Sequence, residues 1–206
     1  MRHRAPRSEP WPHPCPRTPS SPPCGRRTPA SSKFPAGAPT AAPGTVPGAR
    51  CTAWSSTTPR TAGTDTTVKL CWNGTPVLPG PLCHAVIAKD ARVHLVGSGR
   101  ANHAGGGDGD VLRAVIAEKR LPPVRKSDTD GNSHFYGFEC VNLGDGRDPW
   151  PEAQLEAVER AAAAVCRHHG WSERSVIGHH EWRPGKVDPR GFAMDELRER
   201  IRDRLK

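Results

Sequence analysis

Ser175-Val176-Ile177-Gly178, followed by His179-His180-Glu181-Trp182-Arg183-Pro184-Gly185-Lys186-Val187-Asp188-Pro189, is the stretch on which the reading of this chain turns. The short apolar run ending at a glycine predicts a strand over 175–178. A histidine at the end of a strand and an aspartate nine residues later can meet across a loop. Neutral imidazole and carboxylate both suit zinc. Lys186, two residues before Asp188, can reach the same cleft. Taken singly, a histidine at a strand end is more often a packed polar residue, and Asp-Pro more often a turn. Together, with a tryptophan and Pro-Gly between them, they point to a metal-dependent site.

Working outward, residues 151–169 read as the longest helix, with Leu155, Val158, Ala162 and Val165 as its buried stripe and Gly170 as its stop. Residues 135–143 read as a strand with Glu139 in its middle. Residues 83–88 and 92–96 read as two strands joined by a Lys89-Asp90-Ala91 turn. A Gly-rich loop over 97–110 carries Asn102-His103-Ala104-Gly105. A short helix follows over 111–120, with Val111, Leu112, Val115 and Ile116 as its apolar positions. Residues 122–133 read as polar loop, and 195–205 as a closing helix. Order is expected to start near Val68. Strands alternating with helices predict an α/β (α+β) domain, a central mixed sheet flanked by helices.

Residues 1–60 differ in kind. They hold 14 of the 23 prolines, no leucine and no isoleucine, and nine Lys/Arg against the single acid Glu9. Such a segment buries too little to offset its ordering entropy, so a disordered basic tail is expected over 1–60 and a folded domain over 63–206. A basic arm can bind nucleic acid or anionic wall polymers. A solvated tail is the preferred reading, because nothing in it suggests base stacking. No transmembrane run and no signal-peptide pattern is visible. The seven cysteines form no Cys-x-x-Cys. Cys71 and Cys83 bracket a Pro/Gly-rich loop and could pair, but free thiols are the default.

The stretch 178–189 resembles the Gly-His-x-Glu-Trp…Pro-Gly-x-Lys-x-Asp-Pro signature of zinc-dependent N-acetylmuramoyl-L-alanine amidases, the family of phage endolysins and peptidoglycan-recognition proteins. Pro81-Leu82-Cys83-His84-Ala85-Val86-Ile87, Gly99-Arg100-Ala101-Asn102-His103-Ala104-Gly105 and Tyr136-Gly137-Phe138-Glu139 resemble three further family segments, in the same order. The resemblance covers about 63–206. It implies His179 and Asp188 as two of three Zn2+ ligands and Glu139 as the acid that orients or deprotonates the attacking water. It implies Lys186 as the cation that stabilises the oxyanion, and Asn102 and His103 as contacts to the muropeptide. Each of these residues alone has a blander reading, as surface acid, solvated lysine or satisfied histidine. As a set they favour function.

The resemblance also implies a third ligand, a histidine at the end of the first central strand, before Ala62. Near Thr57 the chain instead has Thr52-Ala53-Trp54-Ser55-Ser56-Thr57-Thr58-Pro59. The codons CAC GGC GTG GTC GTC CAC CAC ACC encode His-Gly-Val-Val-Val-His-His-Thr. Entered one base late, they give the string found at 52–59. A single-base displacement of the frame close to residue 60 is therefore expected. His84 and His180 are the candidate substitutes for the absent ligand.

The expected function is zinc-dependent cleavage of the amide between N-acetylmuramic acid and L-alanine in bacterial peptidoglycan. The chain would be a monomer made in the cytoplasm and acting at the cell wall, in the manner of a phage lysin. Two rivals stand beside it: a catalytically inactive peptidoglycan-binding module, favoured by the absent ligand, and, ranked below it, a nucleic-acid binder acting through the basic tail.

Overall fold

The computed structural model describes residues 63–206 and, as backbone, the strand at 50–55. In chain order the elements are β1 (Arg50–Ser55), α1 (Thr64–Asn73), β2 (Gly74–Thr75), β3 (Leu78–Pro79), β4 (Ala85–Ile87), β5 (Val93–Leu95), β6 (Gly106–Gly107), α2 (Gly109–Ile116), β7 (Thr129–Asp130), β8 (Phe135–Cys140), α3 (Glu152–His169), β9 (Val176–Ile177), α4 (His179–Trp182) and α5 (Met194–Leu205). The main sheet runs β5-β4-β8-β1-β9. β4, β8, β1 and β9 are parallel, and β5 is the antiparallel edge, so the sheet is mixed. The expected hairpin is there, with Ala85 opposite Leu95 and Ile87 opposite Val93.

Successive strand residues face opposite sides of the sheet, and this divides the core in two. Ala85, Ile87, Phe138, Cys140 and Val176 pack against Ala157, Val158, Ala162 and Cys166 of α3 and against Leu197 and Ile201 of α5. On the other side, Phe135 and Ile177 meet Val111, Leu112 and Val115 of α2 and the fully buried Trp182. Val86 packs there with Cys71 and Cys83. Those two thiols are free. Burial, and then a hydrogen bond to Cys71, push the Cys83 thiol well up.

Three expectations are corrected. The first concerns β1, which falls inside the segment expected to be disordered and which sequence reading gave no strand. Its backbone lies between β8 and β9, with Arg50 to Ser55 opposite Phe135 to Cys140. The rest of 1–60 lies outside the described residues. The second concerns α1, which begins at Thr64, ahead of Val68. It buries only Thr67 and Cys71, one helical turn apart, so it carries little apolar signal.

The third concerns the buried stripe of α3. Leu155 and Val165 are half-buried, whereas Gln154 and Glu159 are fully buried with Val158 and Ala162. Gln154 Nε2 donates to the carbonyls of Ile87 and Val141, at the ends of β4 and β8, 3.1 Å each. Glu159 accepts from Arg204 Nε of α5 at 2.7 Å. Polar groups bonded in this way can lie in the core, so a stripe read from apolarity alone is rotated. Ile116 of α2 is likewise exposed, because the helix ends there and not at 120.

Among the described residues no helix is long and apolar enough to cross a membrane.

Candidate active site

Parallel strands gather functional groups at their C-terminal edge. Here β8 brings Glu139 to that edge and β9 leads into His179. β1 runs between them: Trp54 pairs with Glu139, and Thr52 pairs with Ile177, two residues before His179. Glu139 is buried in the sheet face shared with Val86.

His179 opens α4. Gly178 precedes it, and its N–H donates to Glu181 Oε2 at 2.9 Å, which caps the short helix. Arg198 of α5 clamps Glu181 through both guanidinium nitrogens, at 2.8 and 2.9 Å, and also donates to the Val176 carbonyl at 3.1 Å. Glu181 thus fixes the strand-to-helix turn. The loop that follows closes on His180, whose backbone N–H and ring Nδ1 both meet the Asp188 carbonyl, at 2.9 and 3.0 Å. That closure brings the two predicted side chains together. His179 Nδ1 and Asp188 Oδ2 stand 2.9 Å apart, both buried. Burial holds His179 below the usual histidine range, against the pull of Asp188, and the nearby Lys186 and Arg183 cations push the same way as burial.

Whether the pair suits a metal can be judged from its atoms. Two donors on one tetrahedral zinc stand about 3.3 Å apart, so a small adjustment lets His179 and Asp188 share an ion. Asp188 Oδ1 is buried and has no hydrogen-bond partner among the described residues, as a carboxylate oxygen reserved for a cation would be. A third donor is not brought up: no three of His, Cys, Asp or Glu converge among the described residues. His84 is committed elsewhere. Its Nδ1 accepts the Gly137 N–H at 2.9 Å and its Nε2 donates to the Gly99 carbonyl at 2.7 Å. His180 spends Nδ1 on the Asp188 carbonyl. Thr57 lies outside the described residues.

The loop 102–107 borders the site. Asn102 is tied to the chain before it, N–H to the Pro81 carbonyl at 2.8 Å and Nδ2 to the Pro79 carbonyl at 2.9 Å. Asn132 Oδ1 then accepts the N–H groups of His103, Ala104 and Gly105 at 2.9, 2.6 and 3.0 Å. His103 lies buried over Gly137, where an added Cβ would stand 2.5 Å from its ring, and its Nε2 meets the Phe135 carbonyl at 2.8 Å. Burial, with a smaller push from His84, lowers its pKa to about 3, so the ring is neutral. Trp182 Nε1 donates to the Ala104 carbonyl at 3.2 Å. Two residues that sequence reading passed over belong here. One is Asn132, which organises the loop. The other is Arg183, whose Nη1 would stand 3.0 Å from a Cβ added at Gly105. Asn132 lies in no recognisable pattern, and Arg183 lies in the 178–189 stretch at a position that the signature leaves open; only the folded proximity of the loop reveals them.

Several solved structures share this arrangement of strands and helices. The AmiD amidase of E. coli, in complex with the substrate anhydro-N-acetylmuramic acid-L-Ala-D-γ-Glu-L-Lys, superposes with a TM-score of 0.53 at 16% identity, over 79% of this chain and 61% of its own. A selenomethionine AmpD gives 0.52 at 17% identity, over 75% of this chain and 85% of its own. AmpDh3 of Pseudomonas aeruginosa, in complex with anhydromuramic pentapeptide, gives 0.54 at 18% identity, over 84% of this chain and 66% of its own. The chain therefore spans less than two thirds of AmiD and AmpDh3. No curated protein matches the sequence. The chain belongs to the N-acetylmuramoyl-L-alanine amidase family, whose model matches residues 45–191. That match starts ahead of β1, upstream of the residue 63 from which the resemblance was expected.

Proposed function

We propose that this chain hydrolyses the amide between the lactyl group of N-acetylmuramic acid and L-alanine in peptidoglycan, with zinc as its cofactor and lysis of a bacterial wall, of the phage endolysin kind, as its role. The observation that carries the reading is the buried His179–Asp188 pair at the sheet edge that also holds Glu139. The substrate would resemble the AmiD ligand, in which L-Ala is followed by a γ-linked D-Glu.

Zinc, when bound, acidifies water and polarises the amide carbonyl. His179 and Asp188 are the residues that would hold it. Glu139, buried in β8 one strand away across β1, takes a proton from the attacking water and delivers it to the departing alanine nitrogen. Lys186, close enough to depress His179, stabilises the negative charge that develops on the carbonyl oxygen. The water oxygen stays on the lactyl carbon as a carboxylate, and the peptide leaves with a free amino group. Asn102 and His103 hold the loop that borders the muropeptide, and their own polar atoms are engaged in fixing it.

A second reading has its own support. With two donors and no third among the described residues, the same site would bind peptidoglycan without cutting it. A nucleic-acid role would rest on the basic tail alone and ranks below both. Purified peptidoglycan incubated with the chain, with and without a zinc chelator, separates them. Chelator-sensitive release of L-alanine amino groups supports the amidase. Zinc-independent binding without release supports the binding module. Neither binding nor release sinks both.

A further inference from the structure

We infer that Arg183 is a specificity-determining residue that reads the free α-carboxylate of the γ-linked D-glutamate in the stem peptide, one residue beyond the bond that is cut. The inference rests on the peptidoglycan reading above and adds the recognition of one group to it.

The backbone of Arg183 is held in place, and its guanidinium lies against a neighbouring loop. Its backbone N–H donates to the His179 carbonyl at 3.0 Å and closes α4. Its guanidinium reaches the loop 102–107 at Gly105, whose positive φ of 55° and lack of a side chain leave room for it. The cation thus lies between the His179 turn and the loop 102–107, and it is close enough for its charge to be felt at His179. It is exposed and meets no carboxylate among the described residues. Its neighbours differ in this respect: Arg198 is paired with Glu181 and Asp195, and Arg100 with Asp130. An exposed arginine beside the proposed reaction centre that meets no carboxylate among the described residues is suited to an anion on the substrate.

The spacing selects which anion. A γ-linked glutamate keeps its α-carboxylate free, and this is the first charge in the stem after the scissile bond. An extended peptide places it about 6 Å from the scissile nitrogen. The backbone of Arg183 caps α4 one helical turn beyond His179, about 6 Å along the helix axis. Arginine can receive a carboxylate through two parallel N–H bonds, whereas the corresponding amide offers a neutral and geometrically poorer match. Amidation of that carboxyl would therefore weaken recognition.

The test is binding of two soluble muropeptides to the full chain, N-acetylmuramoyl-L-alanyl-D-isoglutamate and its isoglutamine counterpart, by calorimetry or NMR titration in the presence of chelator. Wild type is expected to prefer the isoglutamate by about tenfold. Arg183→Gln should erase the preference by weakening the isoglutamate alone, and Arg183→Lys should restore part of it. Equal binding of both ligands by wild type, or an Arg183→Gln variant that weakens both alike, would overturn the role of Arg183 while leaving the peptidoglycan reading intact. Binding of neither ligand would overturn the peptidoglycan reading, and this inference with it.

Discussion

His179 Nδ1 and Asp188 Oδ2 stand 2.9 Å apart in the protein interior, and Asp188 keeps its other oxygen, Oδ1, buried without a hydrogen-bond partner among the described residues. A buried carboxylate with one idle oxygen is costly unless a cation completes it. The His180–Asp188 backbone closure holds the pair in place without help from a ligand.

The proposed zinc binding rests on that pair. Wild type is expected to take up zinc in equilibrium dialysis, and His179→Ala or Asp188→Ala should each abolish that uptake. The resemblance places the absent ligand near Thr57, so Thr57→His should strengthen zinc binding by at least about tenfold. A Thr57→His chain with unchanged affinity would show that the missing donor belongs elsewhere. The coding DNA bears on the same point: if no histidine-rich alternate frame spans codons 52–59, displacement of the frame is not the reason for the absence.

Glu139 is assigned proton transfer. Glu139→Gln keeps the size of the side chain and its place in β8 but removes the base. Peptidoglycan hydrolysis should fall by about 100- to 10,000-fold, with muropeptide affinity and circular dichroism unchanged. Equal activity in Glu139→Gln and wild type would return Glu139 to a structural role.

Gly137 exists for His103. A methyl group there would press on the imidazole, which the Phe135 carbonyl and the neighbouring His84 ring keep from moving away. Overpacking of this kind costs about 1–3 kcal/mol, so Gly137→Ala should lower the urea midpoint by a corresponding amount. An unshifted midpoint would mean that the His103 ring is free to yield.

The sequence made much of this visible, for identifiable reasons. The 175–189 stretch has both a strand signal and a nine-residue His–Asp spacing, and the fold brings His179 and Asp188 together. The hairpin of β4 and β5 and the long helix α3 follow from alternation and from Gly170, whose left-handed φ of 68° ends the helix. By contrast, Arg50-Cys51-Thr52-Ala53-Trp54-Ser55 has no apolar alternation, yet it occupies the middle of the sheet. Gln154 and Glu159 are core residues because of partners that no local pattern foretells. Asn132 and Arg183 matter only through the loop beside them. His84 was a candidate ligand from its chemistry, but its two ring nitrogens hold Gly137 and Gly99, a constraint that appears only once three segments have come together.

The buried histidines also set the response to acid. The pKa of His103 is lowered to about 3, first by burial, and burial lowers His84 and His179 as well. An unfolded chain would protonate these rings near pH 6.5, whereas the folded chain keeps His103 neutral down to about pH 3. Below pH 6.5 the unfolded state therefore binds more protons, and stability falls as the pH falls. His103 alone contributes a slope of about 1.4 kcal/mol per pH unit through that window, and its contribution is fully present only above it. Urea unfolding at pH 7, 6 and 5 should show the decline, and His103→Asn should make it shallower by about that slope. An identical pH dependence in the variant would mean that His103 is protonated in the folded protein, against the burial that surrounds it.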